Sequence, residues 1–292
     1  MRMILVHGIS QEGKSKDIIL ESWLNSLRAT YSRAKAENPL ERLSRIEAAF
    51  YGDKLGTLSA GQVENQTIPM GGSLAIDNYH EFAEDAIREI ALRNGISEVK
   101  IEREALIEIS PMGSGVHKVW IKAAARLIEE VSPFHGALAL RVLRQAYAYL
   151  RDQNIHNEVN TLVRPLLEDD EPAIILSHSL GTIVALKLLR EYAQNGKPRN
   201  TPLFLTLGSP LGIDSIRKNF SKPRGKPNNV QRWVNGADPD DFIALRNALT
   251  DETFGPGIEN YSDIDNGDEN PHSIVRYLSD SRIAKAIADS IP

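Results

Sequence analysis

Three residue types in this sequence follow an order that supports nucleophilic catalysis. Ser179 stands in Ser177-His178-Ser179-Leu180-Gly181, directly after the apolar run 172–176 and directly before a helical pattern. Farther along come Asp238, Asp240 and Asp241 in NGADPDDFIAL, then His272 in NPHSIVRYL. A serine hydroxyl is a weak nucleophile at its own pKa. It needs a neighbouring base, and an imidazole base needs a carboxylate to fix its tautomer. Ser179, His272 and one of the three aspartates supply that set. A sharp strand-to-helix turn that exposes a serine requires small residues two before and two after it, because neighbouring segments crowd the backbone there. Gly181 meets the requirement fully, and Ser177 meets it with a small side chain. His178 points elsewhere on such a turn, so packing or hydrogen bonding is its expected role.

A second pattern competes with the first. Residues 8–15 read G-I-S-Q-E-G-K-S, which matches the phosphate-binding loop G-x-x-x-x-G-K-[ST] and would make the chain a nucleotide-binding NTPase or kinase using Lys14. Such a loop wraps anionic oxygens with backbone N–H groups and a lysine, and it needs an acidic residue ending another strand to hold Mg²⁺. Here Glu12 falls inside the cradle and Asp17 in the first helical turn, and both repel phosphate. No apolar strand ends in a suitable aspartate. In the local alternative Gly13 permits a turn, Ser15 caps the next helix, and Asp17 favours its positive end. Lys14 then lies past the catalytic part, and His7-Gly8 closes the first strand within an oxyanion loop.

The elements that must position these residues are short and well separated. Strand signals lie at 3–6, 45–51, 172–176, 203–207, 230–234 and, more weakly, 258–264, with helical periodicity between them. That alternation predicts an α/β fold with a mostly parallel sheet and crossover helices. Leu20, Trp23, Leu24, Leu27 and Tyr31 form one apolar stripe, and the helix after Ser179 is apolar on most sides and ends at Gly196. From 79 to 167 the pattern is helical throughout, which suggests an inserted cap, with ordinary crossover helices as the alternative. The stretches 52–78 and 251–271, rich in Gly, Asn, Asp and Pro, read as long loops.

The bulk composition excludes several classes. The 292 residues carry 41% apolar and 25% charged residues, an ordinary globular balance, with a formal net charge of −5 and no cysteine. That charge gives no general attraction to nucleic acid or anionic membrane. The absence of cysteine removes disulfides, thiolate nucleophiles and Cys-based metal sites. No apolar run reaches the roughly 18 residues of a transmembrane helix. The first strand begins at once, leaving no room for a signal peptide, so a cytoplasmic protein is expected. The run RKNFSKPRGKP at 217–227 carries five Lys or Arg. It reads as a solvated loop, with docking of an anionic substrate or transient membrane contact as the alternative.

The segments ILVHG, IILSHSLGTIVAL, FLTLGSPLGI, RWVNGADPDD and NPHSIVRYL together resemble the α/β-hydrolase superfamily, near its bacterial lipase- and esterase-like serine hydrolases. The resemblance covers the first strand and most of 172–290. It implies an α/β-hydrolase fold: a mostly parallel sheet flanked by helices, with a core of 1–78 and 168–292 and a helical cap at 79–167. It implies Ser179 as nucleophile and His272 as base. The acid of that family usually precedes a short apolar pair, as in Asp241-Phe242-Ile243, which favours Asp241 over Asp238. It further implies an oxyanion hole from the N–H groups of Leu180 and Ile9, with 206–212 lining the rim. The expected activity is hydrolysis of a carboxylic ester, small or lipid, ahead of thioester or amide, with no cofactor or metal. The alternatives are the nucleotide-binding reading and a catalytically silent hydrolase fold serving as an interaction module.

Overall fold

The computed structural model describes residues 1–9, 11–64, 73–108, 116–131, 135–196, 200–245 and 248–292. Six strands, β1 (Arg2–Val6), β2 (Arg45–Ala49), β3 (Ala173–His178), β4 (Thr201–Leu207), β5 (Val230–Gly236) and β6 (Ile258–Tyr261), form one sheet. Their order is β2-β1-β3-β4-β5-β6, and every neighbouring pair is parallel. All six sequence-predicted strands are present, with β2 and β6 shorter than their expected spans. The chain runs from β1 outward to β2 and later from β3 outward in the opposite direction. Strand order therefore reverses between β1 and β3, and crevices at such a switch point, outside the carboxyl ends of the strands, are where open α/β sheets bind ligands.

The register brings the relevant ends level. Val6 pairs with Ser177, His178 with Leu207, and Leu207 with Gly236, so the turns after β1, β3, β4 and β5 emerge side by side. Both faces of the sheet are buried, as a parallel sheet requires. Ile4, Val6, Ile175, Phe204 and Trp233 belong to one apolar cluster, and Met3, Leu5, Ile174, Leu205 and Val234 to another.

Helix α1 (Lys16–Arg33) follows β1 and buries Ile19, Trp23, Leu24, Leu27 and Tyr31 on the second face. Ser15 caps it, accepting the Ile18 N–H at 3.2 Å, as the local reading of that segment expects. The next helix, α2 (Gly52–Glu64), corrects an expectation, because a loop was read over 52–78. Three glycines in α2 argued against a helix. One of them, Gly56, leaves room for the Glu12 side chain, whose Cγ would stand 2.6 Å from a Cβ added there. Residues 65–72 lie outside the described residues.

The helical middle comprises α3 (Ser73–Arg93), α4 (Glu98–Glu108), α5 (Val116–Val131), α6 (His135–Arg151) and α7 (Gln153–Leu167). Helices α3, α5 and α6 pack on one another, α4 packs on α5, and α7 lies against β1, β2 and the helix α8 (Leu180–Gln194) that follows β3. Their buried residues, among them Ile87, Ala123, Leu143 and Val159, form one apolar cluster with the first sheet face. The short α9 (Asp214–Arg217) and α10 (Ile274–Tyr277) and the terminal α11 (Ser281–Ala288) complete the chain, and α11 packs against α1. No described helix is long and apolar enough to cross a membrane.

Candidate active site

Ser179 occupies the turn between β3 and α8 with φ +53° and ψ −129°, a region that non-glycine residues rarely enter. The crowding expected around such a turn is present. A Cβ on Gly181 would stand 2.2 Å from the Val6 carbonyl oxygen and 2.5 Å from that of His7, so no larger residue fits. Ser177 is buried and its hydroxyl donates to the Leu205 carbonyl at 2.6 Å, tying β3 to β4 just before the turn.

His272 lies with its Nε2 2.9 Å from Ser179 Oγ. Its Nδ1 stands 2.8 Å from Oδ2 and 3.0 Å from Oδ1 of Asp241. A neutral imidazole so placed carries its proton on Nδ1, facing the carboxylate, and presents a bare Nε2 to the serine. All three side chains are buried. Burial pushes the Asp241 carboxyl up. The positive charge available on His272 and hydrogen bonds from His272, the Tyr277 hydroxyl and the Ile243 N–H outweigh it, holding the carboxyl below its ordinary range.

The three aspartates separate cleanly. Asp241 faces His272. Asp238 accepts the N–H groups of Asp240 (2.7 Å) and Asn266 (2.5 Å), closing its own turn and fastening the loop that leads to His272. Burial raises the Asp238 carboxyl above its usual value. The side chain of Asp240 is exposed. Tyr277, which the sequence reading did not single out, links the Asp241 carboxylate to the Asp238 backbone: its hydroxyl donates to Asp241 Oδ2 at 2.7 Å and accepts the Asp238 N–H at 3.0 Å. Its position five residues after His272 was the only signal, and nothing in residue type marked its hydroxyl as reaching Asp241.

Gly208 (φ +55°), inside the expected rim segment 206–212, lies directly against the triad. A Cβ there would meet Asp241 Oδ2 at 2.9 Å and His272 Cε1 at 3.2 Å. The rest of that segment is structural at the site: Ser209 bonds Thr182 at 2.8 Å and caps the short turn 210–212.

The loop after β1 folds onto the serine. Gly8 abuts Ser179, and Gly8, Ile9 and Ser179 line one cavity. Leu180 opens α8, where an N–H has no intrahelical acceptor. Among the described residues neither the Ile9 nor the Leu180 N–H is given to a protein acceptor. His7 fixes the loop from beneath: Nδ1–H donates to the Gly8 carbonyl at 2.6 Å and Nε2 accepts the Tyr51 N–H at 3.1 Å. Its ring stacks on Tyr51, whose hydroxyl donates to the His7 carbonyl. Burial lowers the His7 pKa to about 4, so it stays neutral. His178 is likewise buried and neutral, its pKa lowered to about 3 by burial, and its Nε2–H donates to the His272 carbonyl at 3.0 Å. It supports the base from behind and makes no bond to Ser179.

In the segment 8–15, residues 12–15 are engaged locally. The Gly13 N–H donates to the Asp53 carboxylate at 2.6 Å, and Glu12 pairs with Arg141 at 2.8 Å. Lys14 Nζ donates to the Gln11 side-chain oxygen at 3.2 Å, while the Ser15 hydroxyl is used as the helix cap. The expectation that Lys14 lies past the catalytic part is corrected. The chain turns back after Gln11, whose carbonyl accepts the Lys14 N–H at 3.2 Å, and Lys14 lines the Ser179 cavity. That cavity measures about 400 Å³. Ile18, Trp23, Leu138, Ile274 and Val275 form its apolar wall, and Gln11, Lys14 and Asn270 its polar one.

The cationic run 217–227 is anchored locally. Arg217 bonds the Thr253 carbonyl (2.7 Å) and Asp214, Arg224 the Phe220 carbonyl (3.0 Å), and Lys226 the Val230 carbonyl (2.7 Å). None of its residues lines the Ser179 cavity. Among the described residues no cluster of His, Asp or Glu is placed to hold a metal ion. No family model, curated protein or solved structure matches the chain.

Proposed function

We propose that this chain is a serine hydrolase of the α/β-hydrolase type that cleaves a carboxylic ester through an acyl-enzyme on Ser179. One observation carries the reading: Ser179 Oγ lies 2.9 Å from His272 Nε2, whose other ring nitrogen lies 2.8 Å from buried Asp241. The parallel sheet with its reversal at β1 and β3, and the positive-φ turn at Ser179, support it independently.

In this mechanism Ser179 Oγ attacks the ester carbonyl carbon as His272 Nε2 takes its proton, and Asp241 stabilises the imidazolium that results. The carbonyl oxygen becomes an oxyanion facing the N–H groups of Ile9 and Leu180. His272 then gives its proton to the departing alkoxide, leaving the acyl group on Ser179. Water enters on the same base, and the reverse sequence releases the carboxylic acid and restores the serine. The apolar wall of Ile18, Trp23, Leu138, Ile274 and Val275 suits the acyl part of a small-molecule or lipid ester.

Labelling with a fluorophosphonate probe, together with turnover of p-nitrophenyl esters of graded acyl length, tests the proposal. Wild type labels and turns over and Ser179→Ala does neither. Full labelling of Ser179→Ala, or a wild type inert to probe and to every ester, overturns it. The Asp53 carboxylate on the Gly13 N–H and the capping role of Ser15 favour this reading over the nucleotide-binding one.

A further inference from the structure

A second cavity, of about 840 Å³, opens between α2, α3, α5 and α6 and shares no lining residue with the Ser179 cavity. Its charge is one-sided. Lys118, Lys122, Arg141 and Arg144 line it against a single carboxylate, Glu12, which already pairs with Arg141 at 2.8 Å. Among the described residues no carboxylate pairs with Lys118, Lys122 or Arg144, and the buried Nε of Arg144 has no hydrogen-bond partner. Gln145, buried, donates its amide N–H to Glu12 at 3.2 Å and leaves its Oε1 without a partner. Beside these groups Ile121, Leu140 and the half-buried Tyr79 give the cavity an apolar wall.

Cations grouped without counter-charge repel one another, and a buried donor or acceptor left unpaired carries a desolvation cost. Both penalties vanish on binding an anion that accepts several charge-assisted hydrogen bonds at once. A carboxylate offers one charge, whereas a phosphate or diphosphate offers more than one charge and three or more acceptor oxygens. Arg144 provides a planar fork for it, and the lysines provide mobile point charges. The Gln145 oxygen accepts from a hydroxyl or amine of the same ligand, and the apolar wall faces its uncharged portion. We infer that this cavity is a binding site for a phosphate-bearing small molecule, held by Lys118, Lys122 and Arg144, separate from the Ser179 site and from the lysine of segment 8–15.

Titration calorimetry of the full chain with inorganic pyrophosphate and with ADP tests this without reference to ester hydrolysis. Saturable one-to-one binding of at least one of them is expected, and binding of ADP but not pyrophosphate shows that the nucleoside part is also read. Arg144→Glu and the exposed Lys122→Glu should each weaken that binding by about tenfold or more, with circular dichroism and melting of Lys122→Glu unchanged. Ser179→Ala and Lys14→Ala should bind as wild type does. The inference is overturned if neither ligand binds at millimolar concentration. It is equally overturned if both charge reversals leave affinity intact, or if Lys14→Ala abolishes binding.

Discussion

Gly8 and Ser179 are packed so closely that a Cβ added to Gly8 would stand 2.5 Å from the Cβ of Ser179 and 3.2 Å from its Oγ. The residue that precedes Ile9 is thus held by Ser179 itself. Any side chain at position 8 must push the loop away from Ser179 and carry the Ile9 N–H with it. Gly8→Ala and Gly8→Val should lower kcat by roughly 10²–10³-fold, the effect of losing one oxyanion donor. Their cost in stability should be about 1–3 kcal/mol, that of overpacking a filled site. Kinetics beside denaturant unfolding separate the two effects, and wild-type kcat in Gly8→Ala would remove Ile9 from the mechanism.

The backbone of Ser179 supplies a second test. Its φ of +53° is strained for serine and alanine alike and unstrained for glycine. Relief of that strain is worth about 1–3 kcal/mol, of which the extra unfolded-state freedom of glycine offsets about 0.4–1 kcal/mol. Ser179→Gly should therefore be inactive yet more stable than Ser179→Ala by about 1 kcal/mol. A Ser179→Gly protein that melts below Ser179→Ala would mean that this turn stores no strain.

The aspartates and Tyr277 divide activity from stability. Asp241→Asn should lower kcat by about 10⁴-fold, through loss of the charge that holds the His272 tautomer. Asp238→Asn removes a carboxylate that only accepts backbone N–H groups, so it should cost mainly stability, by about 1–3 kcal/mol. Tyr277→Phe strips a donor from Asp241 and leaves the Asp238 N–H unpaired. Its kcat should fall less than that of Asp241→Asn, and its unfolding free energy by about 1–3 kcal/mol. Reversed ranking of the two aspartate variants in kcat would relocate the acid.

How much of this could be read in advance differs from element to element, for physical reasons. Strands such as 172–176 and 203–207 are short apolar runs bounded by turn residues, a signal carried entirely by neighbours in the chain. The order Ser179, Asp241, His272 was visible for a related reason, since Ser179 directly follows β3, Asp241 lies in the loop after β5 and His272 lies just before α10. What escaped notice depends on contacts across the sequence. Gly56 lies against Glu12, Gly13 is held by Asp53, and Tyr277 bonds Asp241 from 36 residues farther along the chain. Lys14 was misplaced because the turn that Gly13 permits was foreseen but not its direction, which brings Lys14 to the wall of the Ser179 cavity.

Lys14 gives a test that follows from its corrected position. It lies on the cavity wall, exposed, and among the described residues its amine has only Gln11 as partner. A substitution at such a surface site usually changes free energy by under ~0.5 kcal/mol, so Lys14→Ala should hydrolyse a neutral p-nitrophenyl ester within about threefold of wild type. A hundredfold loss would place Lys14 in the reaction itself.

The two buried neutral histidines make stability depend on pH in a defined direction. Burial lowers His7 to about 4 and His178 to about 3, from an ordinary value of 6.5. Below pH 6.5 the unfolded chain takes up protons at both positions while the native protein takes up none until pH nears 4. The unfolded state then binds more protons, so stability falls as pH falls, by at most about 1.4 kcal/mol per pH unit for each histidine. Their full contribution is present above pH 6.5 and is lost progressively toward pH 4. Asp238, raised by burial, works in the opposite sense. His178→Asn keeps a donor for the His272 carbonyl and removes one titrating group, while His7 and the half-buried His156, also lowered by burial, remain. Its unfolding free energy should therefore decline less steeply than that of wild type between pH 6 and pH 4.5. Guanidinium unfolding at pH 7.5, 6.5, 5.5 and 4.5 checks both slopes. A wild type equally stable from pH 7.5 to 4.5 would show that these histidines are free to protonate in the native protein, and the neutral support assigned to the oxyanion loop and to His272 would fail with it.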